Sequence, residues 1–163
     1  MMGSVWSPVE GTDENVSTYA LKAKDIEEKW HVVDAAGRSL GRLASEVAAT
    51  LRGKNRATFS PSLPNGDFVI VINASQVTVK GDASEKKYYR HTQYPGGLRS
   101  ITQDKLLATR PERVIEYAVK GMLPHNAHGA KLLKRLKVYA GPDHPHESQV
   151  NAGKGKPREA KAE

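Results

Sequence analysis

The central part of the chain alternates between hydrophobic patterns with the period of a strand and patterns with the period of a helix. The segment WHVVD, residues 30–34, predicts a strand, and the AAG that follows predicts a turn. From about Ser39 the apolar residues recur every three or four positions, which predicts a helix with one buried face. Ser39 can cap the start of this helix and Gly53 its end. The apolar residues of the predicted face are Leu40, Leu43, Ala44, Val47, Ala48 and Leu51.

A second strand is predicted in FVIVIN, residues 68–73, after a loop rich in serine, proline and asparagine. This segment is apolar on both faces, as a strand covered by helices on both sides must be, and it therefore favours a parallel sheet. The segments QVTVK and KKYYRH, residues 76–80 and 86–91, predict further short strands or extended segments. A turn at Lys80-Gly81-Asp82 separates them.

Three more helices follow in the pattern. The first is predicted from about Thr102 to Ala108, and the second begins at Pro111, a residue favoured at the first helical position. A third, short helix is predicted before the extended segment KVYA, residues 137–140. Strands that alternate with helices favour an α/β sandwich around a small, mainly parallel sheet. The second helix places Val114, Ile115, Ala118, Val119 and Met122 on one side, and the third carries Leu132, Leu133 and Leu136.

The charge of the chain indicates a class of binding partner and divides the chain into three segments. The 163 residues carry a formal net charge of +7, which favours a polyanion because Lys and Arg displace counterions from phosphates. An acidic membrane surface would fit the same charge, although no apolar run approaches the roughly 20 residues of a membrane helix. Residues 1–21 carry −3 and residues 22–163 carry +10. We therefore expect an acidic, flexible N-terminal arm (1–24), a single α/β domain (25–149) and a flexible basic C-terminal tail (150–163).

The residues give no positive sign of an enzyme. The chain has no cysteine, which removes disulfides, thiolate nucleophiles and zinc sites built on cysteine. The glycines of DAAGRSLGRLA, residues 34–44, match neither the dinucleotide fingerprint nor the P-loop. The pairs His125/His128 and His144/His146 lie in predicted loops and offer too few ligands for a stable metal site. We expect no catalytic residue, no cofactor, no metal and no small-molecule substrate. A nucleotide-dependent enzyme, revealed by nucleotide turnover, and a sequence-specific DNA regulator, revealed by preference for one duplex, remain as alternatives.

Basic residues form five clusters, with aromatic residues between them. One cluster alone would be a solvated surface, but five in one domain favour binding of nucleic acid through its shape and phosphates. Arg38 and Arg42 lie at the start of the first helix, where cations oppose the helix dipole, so they favour an external anion. The aromatic side chains could stack on bases or simply pack a strand. They are Tyr88, Tyr89, His91 and Tyr94.

Three long segments resemble the L-thirteen family of bacterial large-subunit ribosomal proteins: WHVVDAAGRSLGRLASEVAATLRGK, NGDFVIVINA and ATRPERVIEYAVKGMLPHNAHGAKLLKRLKVYAGPDHPH. The similarity runs from Trp30 to Gln149 without a major gap. It implies a three-layer α/β/α fold, for which we expect about four strands. It also implies a structural constituent of the large ribosomal subunit, in the cytoplasm, that binds large-subunit rRNA directly, contacts neighbouring ribosomal proteins and supports early subunit assembly. No role follows from it for the arm or the tail.

The composition of the basic stretch KGMLPHNAHGAKLLKRLKVYAG, residues 120–141, then has a physical explanation. No carboxylate occurs between Glu116 and Asp143, and carboxylates would oppose contact with converging RNA backbones. We expect the helix after the corner at Met122-Leu123-Pro124 to present cations around its leucine side. The predicted RNA-binding residues of the whole chain are Arg38, Arg42, Arg52, Lys54, Arg56, Lys86, Lys87, Arg90, His91, Arg110, Arg113, Lys120, Lys131, Lys134, Arg135 and Lys137.

Overall fold

A parallel sheet of three strands forms the centre of the fold. The computed structural model describes residues 21–152 of the chain. Within them β1 (Trp30–Asp34), β2 (Phe68–Ile72) and β5 (Leu136–Val138) pair in the order β1-β2-β5, and both pairs are parallel. The predicted α/β class and the parallel sheet are therefore confirmed.

The segment of residues 76–80 does not join this sheet, which has three strands rather than about four. Among the described residues its β-type pairing is a single bridge between Ser39 and Thr78. The amide of Leu40 donates to the carbonyl oxygen of Thr78, and the amide of Thr78 donates to that of Arg38, both at 2.9 Å. The turn before the first helix takes these hydrogen bonds, so the segment closes that turn instead of extending the sheet.

Helix α1 (Leu40–Arg52) connects β1 to β2, and all six apolar residues of its predicted face are buried. Gly53 ends the helix in the left-handed conformation, with φ at 74°, as predicted. Ser39 occupies the N-cap position, but its side chain makes no capping hydrogen bond. The prediction that Ser39 caps the helix is therefore wrong, and the bridge to Thr78 holds this end of the helix.

A separate antiparallel hairpin lies beside this unit. It consists of β3 (Lys87–His91), which the sequence predicts, and β4 (Leu98–Thr102), which it does not. Helices α2 (Gln103–Thr109) and α3 (Pro111–Met122) follow directly, each within one residue of its predicted start. The hairpin and the corner between α2 and α3 are therefore held close together by a short stretch of chain.

Helix α3 contributes Val114, Ile115 and Val119 to the core, as predicted. Met122 was predicted on the same face but is 43% exposed. The helix ends at Met122, and the next residue, Leu123, turns inward and is 4% exposed. The chain therefore leaves the helical period at the position where the pattern predicted a last core residue.

Helix α4 (Ala127–Leu133) is shorter than its leucine pattern predicted. Its N-cap residue Asn126 accepts a hydrogen bond from the amide of Gly129 at 2.8 Å. Leu132 is buried on the helix, whereas Leu136 lies on β5. The prediction of one helix carrying all three leucines is wrong, because the carbonyl group of Arg135 already accepts a hydrogen bond from Val69 of β2.

Helices α1 and α3 cover one face of the parallel sheet, and aromatic residues and a short helix lie at the other. Val69 and Val71 of β2 belong to one buried cluster with the apolar faces of α1 and α3. Because side chains alternate along a strand, Phe68 and Ile70 point to the opposite face. There the rings of Trp30 and Phe68 stack with their centroids 4.3 Å apart, and the ring of His146 packs on Trp30. Helix α5 (Glu147–Ala152) follows His146 and contacts β1.

The predicted arm (1–24) and tail (150–163) lie mainly outside the described residues. Helix α5 crosses the predicted boundary between residues 149 and 150. The division into arm, domain and tail stays a prediction.

Candidate nucleic-acid interface

Three of the predicted RNA-binding arginines are paired with carboxylates of the same chain. Arg38, in the turn before α1, pairs with Glu46 of α1.

 The pair joins the turn after β1 to the outer side of α1. Both side chains are partly exposed, at 39% and 52%, so the pair contributes at most about 1 kcal/mol. The charge of Arg38 at the helix start, for which the sequence favoured an external anion, is thus balanced by Glu46.

Arg56 belongs to a network that fixes the loop before β2. Its guanidinium pairs with the carboxylate of Asp67 and donates to Asn65 Oδ1 at 3.1 Å. Asp67 also accepts hydrogen bonds from the amide of Lys29 and from His31 Nε2, both at 3.0 Å. A cavity of about 420 Å³ lies beside this network, but Asp67 lines it and makes it a poor site for phosphate. The structure therefore gives Arg56 a role in holding the fold.

Arg135 connects three distant segments. Its guanidinium pairs with Glu28 before β1, donates to the carbonyl oxygen of Gly66 before β2, and lies over the Phe68 ring at 5.2 Å. The Arg135 side chain is only 13% exposed. It was predicted on a helix surface facing RNA, whereas it lies in the turn between α4 and β5 and points into the protein.

Changing Arg135 to Gln should lower the free energy of unfolding by about 2 to 3 kcal/mol, because Glu28 and the Gly66 carbonyl lose a charged partner. The matched control is Lys134→Gln, which alters the exposed neighbouring residue and should stay within about 0.5 kcal/mol of wild type. Urea unfolding followed by circular dichroism measures both. Equal losses in the two variants would contradict the role of Arg135 in the fold.

The other predicted residues reach the surface. None of them forms an ion pair with another residue of the 21–152 range. Arg52 and Lys137 are half-buried. The exposed ones are Arg42, Lys54, Lys86, Lys87, Arg90, His91, Arg110, Arg113, Lys120, Lys131 and Lys134.

Four arginines gather around one cavity of about 670 Å³ between the hairpin and the corner of α2 and α3. We call it the arginine cavity. Arg90 of β3 and Arg99 of β4 are directly opposite each other in the antiparallel register. Arg110, between the two helices, and Arg113, in the first turn of α3, line the same cavity. No Asp or Glu lines it.

The floor of the arginine cavity is apolar and aromatic. Leu106 of α2 is buried, and Ile101 of β4 is half-buried. The rings of Tyr88 and Tyr117 stack with centroids 5.4 Å apart, and Tyr117 keeps 42% of its surface exposed. Tyr88 thus packs against a neighbour, one of the two roles the sequence left open, while Tyr89 is 65% exposed.

A second, larger groove of about 980 Å³ brings together cations that the sequence placed in different clusters. Arg42, from the first turn of α1, and Lys86, from the start of the hairpin, both line it. Lys80 lines it too, although the sequence did not single it out. Asp82 adds a carboxylate to this groove, so its positive charge is less concentrated than that of the arginine cavity.

Two carboxylates near these surfaces are held ionised by their own loops. The amide of Ala36 and the side chain of Asn73 donate to Asp34, which lowers the pKa of its carboxyl. The hydroxyl and amide of Ser84 donate to Asp82, which lowers the pKa of that carboxyl in the same way. These hydrogen bonds stabilise the turns that contain the two carboxylates.

The cations of the basic stretch, residues 120–141, lie in separate parts of the structure. Lys120 and Lys134 line a third cavity, of about 540 Å³, whose walls include Leu123 and Leu133. Lys131 is exposed on α4. Lys137 lies on β5, paired in register with Ile70. The prediction that one short helix presents Lys131, Lys134, Arg135 and Lys137 is wrong, because the helix ends at Leu133.

Sequence reasoning missed Arg99. It lies in β4, whose sequence LRSIT has only two large apolar residues, and its position opposite Arg90 follows from strand pairing alone. The Gly-Gly turn after the predicted strand at residues 86–91 was the signal that could have found its partner strand.

The histidines do not form a metal cluster in the part of the chain that the structure describes, where no group of three or more His, Asp or Glu side chains could hold an ion. His146 instead contacts the hydroxyl of Tyr139 at 2.9 Å through Nε2 and packs on Trp30. Between residues 21 and 152, no helix has the length and apolar character needed to cross a membrane.

Comparison with known proteins gives one consistent family. The family model described as Ribosomal protein L13 matches residues 28–145. A protein named large ribosomal subunit protein uL13 from Symbiobacterium thermophilum is 54% identical over 133 residues, which are 81% of this chain and 93% of the relative. A protein of the same name from Vibrio vulnificus is 53% identical over 135 residues, which are 82% of this chain and 95% of the relative. The chain therefore belongs to the ribosomal protein L13 family, and it is a structural ribosomal component and not an enzyme.

Proposed function

We propose that this protein binds large-subunit rRNA directly and supports an early step in the assembly of the large ribosomal subunit. As a member of its family it is a constituent of that subunit, in the ribosome in the cytoplasm. Neighbouring ribosomal proteins are its other expected partners. The observation that carries the proposal is the separation of its cations into two groups.

One group consists of arginines that are paired within the protein. Arg38, Arg56 and Arg135 each have a carboxylate partner. The other group has no such partner among the described residues, and many of its members line recesses of the surface. A protein that only needed solubility would not require cations to converge without carboxylates, because their mutual repulsion disfavours the folded state.

Phosphates supply the missing negative charge. RNA helices in a folded ribosomal RNA repel one another, and Lys and Arg side chains release the condensed counterions when they replace them. Such contacts position the protein but carry little sequence information. A protein with cations on several sides can therefore bring RNA segments together, which is the physical basis for a role in early assembly.

The exposed cations of the basic stretch provide the test. Changing Lys120, Lys131 and Lys134 together to Gln should make the slope of log affinity against log salt shallower by about two to three on a large-subunit RNA fragment. All three side chains are exposed, so the fold should be unchanged. Arg135 is left intact, because its loss would damage the fold. Salt titrations by filter binding measure the slope, and circular dichroism checks folding.

The matched control changes Lys22, Lys24 and Lys105 to Gln. These residues are also exposed, and the loss of net charge is the same, but they lie outside the basic stretch of residues 120–141. The control should keep a salt slope close to that of wild type. In reconstitution of the subunit, the first variant and not the control should delay formation of early particles. Identical slopes for wild type and both variants would refute direct phosphate binding by this stretch.

A further inference from the structure

The arginine cavity has an electrostatic arrangement that the folded chain does not balance. Arg90 and Arg99 are directly opposite in the hairpin, and like charges at such positions destabilise a strand pair. Arg110 and Arg113 add two more guanidinium groups to the same recess. Within residues 21–152 none of these four arginines has an ion-pair partner. An anion from outside would remove the repulsion.

The arginine cavity also has an apolar and aromatic surface, which a phosphate group alone would not contact. Its floor contains the buried side chain of Leu106 and the half-buried side chain of Ile101. Tyr117 stacks on Tyr88 and still exposes 42% of its surface. The volume of about 670 Å³ falls in the range of roughly 300 to 1,000 Å³ that is usual for pockets receiving a small organic group. The recess therefore suits a ligand with an anionic part and a flat aromatic part.

We propose that the arginine cavity receives an unpaired nucleotide of RNA, with its phosphates among the four arginines and its base against Tyr117. The inference rests on the proposed function and adds the kind of RNA element that is recognised. Bases in a duplex are stacked inside the helix and cannot enter a recess, whereas bases in loops and bulges can stack on aromatic side chains and on guanidinium planes. Stacking on an aromatic ring accepts any base, so the site selects unpaired structure more than sequence.

Binding of two defined RNAs distinguishes this site from general phosphate binding. The probes are a single-stranded RNA of ten nucleotides with mixed sequence and a fully paired RNA duplex of ten base pairs, both labelled for fluorescence anisotropy. At equal ionic strength the wild-type protein should bind the single strand at least about 5-fold more tightly than the duplex, which is the lower end of what one stacked base contributes. An acidic peptide of ten glutamates is the third probe and should bind more weakly than the single strand.

Variants of the platform residue assign the effect to the cavity. Changing Tyr117 to Leu should weaken binding of the single strand by about 5- to 150-fold and leave binding of the duplex unchanged. Changing Tyr117 to Phe keeps the ring and should retain affinity within about 2-fold. The matched control, Lys131→Gln, removes a cation outside the cavity and should weaken both RNAs by a similar factor. Urea unfolding identifies any variant that is not folded, and the comparison between the two RNAs is made on the same folded sample.

Several results would overturn the proposal. These are equal affinity of wild type for the single strand and the duplex, equal weakening of both RNAs by Tyr117→Leu, or binding of the acidic peptide as tightly as the single strand. The last result would assign the cavity to an acidic protein segment. If the protein does not prefer the single strand but still binds the large-subunit RNA fragment with the expected salt dependence, only this site is refuted. Failure of that fragment to bind refutes the proposed function itself.

Discussion

Replacing Gly66 with Ala should lower the free energy of unfolding by about 3 kcal/mol. A Cβ atom at Gly66 would lie 1.7 Å from the carbonyl oxygen of Leu51 and 3.0 Å from that of Thr50. Both atoms belong to the backbone of the last turns of α1, so no side-chain rotation can make room. The loop before β2 must move away from the helix, and the packing of both elements is lost.

The matched control for Gly66→Ala is Gly121→Ala. Gly121 lies in α3, and a Cβ atom there would have no neighbouring atom within 4 Å. Alanine favours a helix by up to about 1 kcal/mol over glycine, so this variant should be as stable as wild type or slightly more stable. Urea unfolding monitored by circular dichroism measures both. A Gly66→Ala protein with the unfolding midpoint of wild type would show that the loop does not pack closely on α1.

Replacing Leu132 with Ala should lower the free energy of unfolding by about 2 to 5 kcal/mol. Leu132 is 1% exposed and belongs to the main buried cluster, together with Val119 of α3 and Leu136 of β5. Its removal leaves a cavity between α4 and the rest of the core. Because α4 has only two turns, little else holds it in place.

The adjacent Leu133 provides the comparison for Leu132. It is half-buried and lines the cavity between α3 and α4, so its change to Ala should cost about 1 kcal/mol. The two variants remove the same atoms from neighbouring positions of one helix. In thermal and urea unfolding, Leu132→Ala should therefore be clearly less stable than Leu133→Ala. The reverse order would show that α4 is rotated relative to the arrangement described above.

The elements that the sequence predicted well are those with a strong hydrophobic period. The strands β1 and β2 and the helices α1 and α3 agree with the pattern because their burial is decided by their own apolar residues. The strand β4 was missed because its alternation is weak. Leu136 was assigned to a helix because a strand of three residues is too short to show a period of its own, and its pairing with β2 decides its conformation.

The candidate site was harder to predict than the fold, for an electrostatic reason. The sequence shows how many cations the chain has, but not which of them a distant carboxylate neutralises. Glu28 and Arg135 are 107 positions apart, and Asp67 and Arg56 meet only when the loop before β2 closes. A basic cluster in the sequence therefore does not by itself identify an anion-binding surface, because folding turns some of its members inward. The convergence of Arg90, Arg99, Arg110 and Arg113 likewise depends on tertiary structure.

The position of β5 has a consequence for how the chain folds during synthesis. The central strand β2 pairs with β1 on one side, and both are available once the chain has been made as far as Ile72. The partner on its other side, β5, ends at Val138 and is among the last described elements to be translated. Throughout that interval β2 has an open edge of apolar residues, a kind of surface that promotes aggregation of nascent chains. A molecule that binds this edge until β5 has been made would therefore lower the tendency of the nascent chain to aggregate.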